Sequence, residues 1–246
     1  EAVLFAPAET VRYRQIYRGV DPAHGVPDYP APAVEIDYYL PEAVDDLRLE
    51  ILAADGRVVN AYRSGDPAGE SELPEVDMAT GAVSFLPRAS LEAGAGLHRF
   101  RWNMRHQGPW HESASRRFEG GPYAVPGEYR VRLSFDAKVL EQPLTLVPDP
   151  RVAQGGVTLA DVQAQSGLRL RIADLLSEAR RLAEDLEEAR DAALEEGGDA
   201  SAIEALLSEL VAADQIYPQP QMREQISYLY NMLGYADQAP GGEALA

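Results

Sequence analysis

The sequence predicts an α+β protein by segments, in which an antiparallel β-sandwich precedes a C-terminal three-helix bundle or helical hairpin. Apolar and charged residues alternate with period two between residues 34 and 148, which is typical of strands buried on one face. Between residues 156 and 236 the apolar period becomes that of an amphipathic helix. Because no helical pattern separates the strands, we expect two packed sheets at 34–150 and a helical region at 156–238.

The first segment, residues 1–33, is rich in proline and aromatic residues. Asp21-Pro22 and the run from Pro27 to Pro32 favour an extended or polyproline backbone, because proline fixes its own φ and restricts the residue before it. We therefore expect an extended N-terminal arm or linker that lies on another surface.

The sandwich segment contains several alternating runs. In the first run, Val34, Ile36, Tyr38 and Leu40 share one face, and acidic residues occupy the other. The same alternation occurs in the runs 47–51, 100–104, 129–135 and 144–146. Asp55-Gly56 predicts a tight hairpin turn from the 47–51 run into the segment 58–62, since glycine tolerates positive φ.

The helical region begins at Thr158 and Asp161, which are spaced as in a capping box, and its first helix ends at Gly197-Gly198. Steps of four and three residues predict a coiled-coil seam over nearly four heptads, formed by Leu168, Ile172, Leu175, Ala179, Leu182, Leu186, Ala189 and Ala193. Two further amphipathic helices start at Ser201 and Met222. We expect the three helices to pack together or against the sandwich. Residues 239–246 should form a flexible tail.

Composition and charge exclude several classes of protein. The formal net charge of −18 opposes binding to nucleic acid or insertion at an anionic membrane, because phosphate-binding surfaces need clustered cations. No apolar run reaches the roughly 18 to 20 residues of a membrane span. The chain contains no cysteine, which excludes disulfides and thiolate metal sites. Because the chain starts at Glu1 without a signal segment, we expect a processed product or an excised domain.

Two stretches carry a recognisable pattern. In the first, Gly96, His98 and Trp102 follow one another as G-x-H-x-x-x-W, and in the second, residues 126–133 read P-G-x-Y-x-x-x-L. Together they resemble flagellar-hook-cap-type immunoglobulin-like domains. This resemblance implies that the predicted sandwich is immunoglobulin-like.

Five further motifs follow one another along the chain: Leu4–Pro7, Ile36–Leu40, Gly121–Gly127, Pro148–Arg151 and Gln225–Tyr230. Their order resembles the C-terminal immunoglobulin-like plus helical region of bacterial secreted proteins with BNR- or sortilin-type β-propellers, which are often labelled glycosyl hydrolases. In that family any sugar chemistry belongs to the propeller, which precedes this region. The resemblance therefore implies a secreted module without catalytic residues of its own.

Two groups of side chains are candidates for metal binding. His98, His106 and His111 lie close in sequence, but their spacing fits no zinc-ligand template. Five acidic residues between Asp66 and Asp77 could supply oxygen ligands to calcium, but the ordered D-x-D-x-D-G pattern is missing. We therefore predict no metal and no cofactor, and we interpret the acidic residues as a solvated loop.

The long connection between Trp102 and Tyr123 is the candidate binding site. Tryptophan, tyrosine and arginine are the usual hot-spot residues of interfaces, and loops at the end of a sandwich commonly carry binding. The candidate binding residues are Trp110, Arg116, Arg117, Phe118 and Tyr123. The alternative is that this loop folds over the helices and completes the core, since large aromatic residues are usually buried.

These observations predict a non-catalytic interaction module that is extracellular, on the cell surface or periplasmic, and that docks onto a β-propeller or another extracellular protein. One alternative is a structural protomer of an extracellular assembly or filament, which would polymerise by laying its arm on a second copy. Another is part of a glycan-binding or glycosidase-type protein. No catalytic residue is predicted, because spacing cannot select a carboxylate pair among 40 acidic residues and no G-x-S-x-G elbow occurs.

Overall fold

The computed structural model describes residues 1–14, 32–66, 91–111, 121–213, 215 and 218–242, and the backbone alone of residues 17–18, 75–76 and 82–84. Within these residues the strands are β1 (Val3–Leu4), β2 (Thr10–Arg12), β3 (Tyr17–Arg18), β4 (Val34–Leu40), β5 (Arg48–Ala53), β6 (Val58–Arg63), β7 (Glu75–Val76), β8 (Ala82–Ser84), β9 (Gly96–Trp102), β10 (Gly127–Phe135) and β11 (Lys138–Pro148). The helices are α1 (Pro150–Gln154), α2 (Leu159–Glu195), α3 (Ser201–Leu210) and α4 (Met222–Met232).

The strands form a five-stranded sheet and two three-stranded sheets. The five-stranded sheet has the order β2-β11-β10-β5-β6 and curls into a half-barrel. This sheet is mixed, because β2 runs parallel to β11, whereas the pairs β11-β10, β10-β5 and β5-β6 are antiparallel. A three-stranded antiparallel sheet has the order β1-β4-β9. The remaining sheet consists of β3, β8 and β7.

The five-stranded sheet and the β1-β4-β9 sheet share one hydrophobic core. Val34, Ile36, Tyr38 and Leu40 of β4 are buried, as their alternation predicted, while Glu35 faces solvent. The predicted turn after β5 is also confirmed, since Gly56 has a φ of 84°. Trp102, Tyr38 and Phe100 are the largest fully buried side chains, and the Trp102 indole nitrogen donates a hydrogen bond of 3.0 Å to the carbonyl oxygen of Arg105.

Residues 1–14 contribute one short strand to each of these two sheets. Val3 of β1 pairs with Tyr39 of β4, and Thr10 of β2 pairs with Leu146 of β11. The chain thus crosses from one sheet to the other within a few residues. The rest of the expected arm up to residue 31 lies outside the residues whose side chains are described.

The predicted immunoglobulin-like sandwich followed by a helical bundle is wrong. The parallel pairing of β2 with β11 makes the large sheet mixed, whereas we expected purely antiparallel sheets. That sheet curls into a half-barrel over a smaller antiparallel sheet. Alternation along a strand shows which side chains are buried, but it carries no information on strand order or direction, which explains the error.

The helical region consists of one long helix and two short ones packed on it. Helix α2 has 37 residues and begins at the predicted capping box of Thr158 and Asp161. Helix α3 packs on its middle through Leu210, and α4 packs nearer its start through Tyr230 and Leu233. At 1.5 Å per residue α2 is about 55 Å long, so the two short helices together cover only part of it and no regular three-helix bundle or hairpin forms. None of the helices in the described segments is long and apolar enough to cross a membrane.

The buried stripe of α2 matches the predicted seam only in part. Ile172 and Ala179, which were predicted to lie in the seam, are buried. Leu175 and Leu182 were predicted to lie in the seam, but they are 49% and 50% exposed. Leu176 and Ala183 are buried instead, together with the polar residue Gln165. The pattern of apolar residues alone could not indicate this stripe, because part of it is polar and makes specific hydrogen bonds.

Candidate functional site

Among the described residues, a groove lies between the chain segment before residue 112 and helices α2 and α4. We call it the Trp110 groove, and its volume is about 520 Å³. Trp110 and His111 line one side. Helix α2 contributes Leu176, Arg180, Ala183, Glu184 and Glu187, and helix α4 contributes Arg223, Glu224 and Ser227. Side chains from three separate elements therefore meet at this groove.

The loop that carries Trp110 is fixed to helix α2 by backbone hydrogen bonds. The Trp110 amide donates to the hydroxyl oxygen of Ser177 at 2.9 Å, and Arg180 donates to the Trp110 carbonyl oxygen at 3.0 Å. The guanidinium carbon of Arg181 lies 5.6 Å from the centre of the Trp110 ring. The indole is half-buried, so it is held in place while it still lines the groove.

The base of this loop is clamped by a second chain segment. The His106 amide donates to the Pro122 carbonyl oxygen, and the Ala124 amide donates to that of Met104, both at 2.8 Å. Gly121 lies directly against the His106 carbonyl group, where an added Cβ would overlap the oxygen. Only glycine allows the two segments to approach this closely.

Glu224 is a fixed part of the groove wall. Its carboxylate accepts hydrogen bonds from the Ala212 amide at 2.9 Å and the Gln221 amide at 3.3 Å, and from the Arg223 guanidinium at 2.9 Å. Burial alone would raise the pKa of Glu224, but these hydrogen bonds and the charge of Arg223 outweigh burial and lower it. Glu224 therefore stays ionised near neutral pH and holds the start of α4 to the end of α3.

A second cluster of charged groups joins the N-terminal strands to the C-terminal segment. Arg12 forms a bidentate pair with Asp237 at 2.6 and 2.9 Å, and Arg14 donates to the same carboxylate at 2.9 Å. Arg14 also donates to the Gly234 carbonyl oxygen. Although burial would raise the pKa of Asp237, the two arginines outweigh burial and lower it. We call this cluster, with Tyr123, Arg105 and Arg169, the arginine junction.

Tyr123 lies at the centre of the arginine junction. The guanidinium carbons of Arg105, Arg14 and Arg12 lie 3.9, 4.7 and 5.4 Å from the centre of its ring. Burial would raise the pKa of Tyr123, but these three positive charges outweigh burial and lower it. Arg169 of α2 stacks on Tyr230 at 4.5 Å, and burial lowers its pKa to about 10, so it remains charged at neutral pH.

The structure places the predicted binding residues in different surroundings. Trp110 lines the groove, whereas Tyr123 lies in the arginine junction. Arg116, Arg117 and Phe118 lie outside the described residues. The described part of the loop does lie on helix α2, but it leaves the Trp110 ring at the surface of a groove.

The three histidines considered as metal ligands also have different surroundings. A ring nitrogen of His98 lies 2.7 Å from the Gly94 carbonyl oxygen, and His111 lines the groove. Burial, with a smaller effect of the Arg57 charge, lowers the pKa of His106 to about 4, so this imidazole is neutral at pH 7. In the parts of the chain that the structure describes, no three histidine, aspartate or glutamate side chains are placed to hold a metal ion.

Most of the acidic loop proposed for calcium lies outside the described side chains. Asp66 is described, and its carboxylate accepts a hydrogen bond of 2.7 Å from the Arg63 amide, which closes a turn after β6. This contact is local, so it gives no indication of a ligand at Asp66.

Sequence reasoning missed the charged residues that complete both clusters. Arg180, Glu184 and Glu187 have the spacing of any solvated helix face, and nothing in their order marks a groove. Arg12 and Asp237 are 225 residues apart in the chain, so no local pattern connects them.

Comparison with known proteins adds no relative to these observations. No protein-family model matches the chain, and no curated protein matches it significantly.

Proposed function

We propose that this chain is a non-catalytic interaction module that binds a segment of a partner protein in the Trp110 groove. The observation that carries the proposal is the groove itself, where a half-buried tryptophan meets charged side chains from α2 and α4. Tryptophan and arginine supply a large share of the binding energy at protein interfaces. The motif resemblance implies an extracellular partner, either a β-propeller or another secreted protein.

The chemistry of the groove suits a protein surface better than an enclosed small molecule. Pockets for small molecules are lined mainly by apolar side chains. Here Trp110, Leu176 and Ala183 are the apolar lining residues, and the others are polar or charged. An aromatic anchor surrounded by charged groups is the arrangement expected of a polar interface.

Glu224 is not suited to be the general acid of a glycoside hydrolase. A glycosidase needs one carboxylic acid whose pKa is raised so that it can protonate the leaving group. The pKa of Glu224 is lowered, and its oxygens are occupied by backbone and arginine donors. Its role is therefore to build the groove.

The use of residues 1–14 bears on the alternative of a self-assembling protomer. These residues pair with β4 and β11 of the same chain, and Arg12 and Arg14 are held by Asp237. This part of the arm is therefore already engaged within its own chain and does not present a free strand to a second copy. We therefore favour a different protein as the partner.

The proposal is tested by selecting phage-displayed peptides on the intact chain and measuring their affinity for groove variants. Ser227→Arg places a long side chain in the groove, and Gln225→Arg places the same side chain on an exposed position of the same helix. We expect the selected peptides to lose about tenfold or more in affinity for Ser227→Arg and for Trp110→Ala, while Gln225→Arg binds as the parent does. Circular dichroism verifies that each variant is folded.

Two results would overturn this function. Peptides that bind the parent and Ser227→Arg equally well would show that the groove is not the binding site. If the chain binds glycans on an array through Trp110 and no selected peptide depends on Trp110, the ligand is a carbohydrate.

A further inference from the structure

We propose that the Trp110 groove recognises an arginine side chain of its partner, between the indole of Trp110 and the carboxylates of Glu184 and Glu187. This inference rests on the proposed function and specifies the chemistry of the partner.

The two glutamates line the same groove. Glu184 and Glu187 are three residues apart on α2, so they lie on one face of the helix about one turn apart. Both line the groove together with Trp110, which is attached to the same helix one turn earlier through Ser177 and Arg180. A side chain entering the groove therefore meets an aromatic ring and two carboxylates.

The other acid of the groove is already engaged. Glu224 is held by two backbone amides and by Arg223. Within the described residues, no hydrogen bond or ion pair holds Glu184 or Glu187, and both are exposed, although the charge of Glu187 helps to raise the pKa of Arg190. With three glutamates against two arginines, the groove carries a formal charge of −1 in a chain of net charge −18, which favours a cationic ligand.

Arginine fits this arrangement better than lysine does. Its planar guanidinium group can stack on an aromatic ring and still donate hydrogen bonds to carboxylates from its edge. The chain itself uses this geometry repeatedly, with Arg105 on Tyr123, Arg169 on Tyr230 and Arg181 near Trp110. In the arginine junction the stacked Arg12 and Arg14 also share a carboxylate, which is the combination that we infer for the groove.

The experiment uses the intact chain and three short peptides that differ at one position. The probe is an N-acetylated, C-amidated Gly-Ser-Arg-Ser-Gly peptide, and its counterparts carry citrulline or lysine in place of arginine. Binding is followed by NMR through the indole N–H signal of Trp110. Trp102, the other of the two tryptophans, is fully buried and serves as the internal reference.

We expect the arginine peptide to shift the Trp110 signal saturably and to leave the Trp102 signal unchanged. The citrulline peptide, which has the same shape without the charge, should bind about tenfold more weakly, and the lysine peptide should fall between the two. The double variant Glu184→Gln/Glu187→Gln should lose about tenfold in affinity for the arginine peptide.

The matched control is Glu178→Gln/Glu188→Gln, which removes the same charge from exposed positions of the same helix outside the groove. It should bind the arginine peptide within about twofold of the parent. An equal loss in both double variants would reduce the effect to general attraction by an acidic protein and overturn the proposal. Equal binding of the arginine and citrulline peptides would do the same.

The design separates this inference from the function on which it rests. The selected peptides could lose affinity for Ser227→Arg and yet contain no arginine and bind Glu184→Gln/Glu187→Gln as they bind the parent. That result would remove the arginine proposal and leave the interaction module in place. Peptides unaffected by Ser227→Arg would remove both.

Discussion

Gly121 decides how closely two chain segments approach at the base of the Trp110 loop. Its backbone lies against the carbonyl group of His106, next to the hydrogen bond between the His106 amide and Pro122. The residue is buried, and its neighbours on this side are backbone atoms, which cannot move aside as a flexible side chain can. The position of the loop, and with it the groove, depends on the absence of a side chain here.

We therefore expect Gly121→Ala to lower the free energy of unfolding by about 1 to 3 kcal/mol, as overpacked sites do. Gly94→Ala is the matched control, because an added Cβ there meets no atom within 4 Å. Urea unfolding of the two variants gives the comparison. Equal stabilities would mean that the two segments can separate without cost.

Also at this scale, the two tryptophans have different roles. Trp102 alternates with charged neighbours in the sequence, and this alternation predicted its burial, which the structure confirms. Trp110 lies in a loop without a periodic pattern. Two hydrogen bonds of its backbone with Ser177 and Arg180 hold it against helix α2, where its side chain is half-buried.

At the scale of elements, helix α2 shows how far a periodic pattern can be used. Its start, its end and its amphipathic character follow from Thr158, Asp161 and Gly197 and from the spacing of the apolar residues. Its contact face follows only in part. Ile172 and Ala179 of the predicted seam are buried, but α3 and α4 also cover Leu176 and Ala183, which lie outside that seam.

Two leucine variants of α2 test which stripe carries the packing. Leu176 is 1% exposed and Leu182 is 50% exposed. We expect Leu176→Ala to cost about 2 to 5 kcal/mol of unfolding free energy, whereas Leu182→Ala should change it by less than about 0.5 kcal/mol. Thermal or urea unfolding followed by circular dichroism measures both. A larger loss for Leu182→Ala would restore the predicted coiled-coil seam.

At the scale of the whole molecule, the arginine junction connects the first strands, the long helix and the C-terminal segment. Arg12 and Arg14 come from the beginning of the chain, Arg169 from α2, and Asp237 from the segment after α4. The side chains of Arg12 and Asp237 are 4% and 3% exposed. Loss of one partner would leave buried charge without compensation, which is strongly destabilising.

We expect Asp237→Asn to lower the free energy of unfolding by about 3 to 5 kcal/mol. The matched control, Asp191→Asn, removes the same charge from a surface pair with Arg190 and should cost less than about 1 kcal/mol. Chemical unfolding in a Trp110→Phe background, in which Trp102 is the remaining tryptophan, is followed by helix circular dichroism and by fluorescence. If only the helix signal responds, the junction does not couple the sheets to the helices.

The same carboxylate makes stability depend on pH in a defined direction. Because the folded pKa of Asp237 lies below its unfolded value, the stabilisation is fully present above about pH 4 and is lost as pH falls through the folded pKa. The parent chain should therefore lose stability more steeply than Asp237→Asn below about pH 4.

The sequence by itself determined the local features of this protein. The buried faces of β4, β9 and β10, the turn at Gly56 and the capping box of α2 all follow from periodicity and from the φ preferences of single residues. These features depend on neighbours in the chain, so a single sequence records them.

Only the tertiary structure decided the order of the strands, the contact face of α2, the Trp110 groove and the arginine junction. Each of these depends on which distant surface covers an apolar or charged face. Periodicity records that a face is covered but not what covers it, and the pairing of Arg12 with Asp237 across 225 residues leaves no local trace.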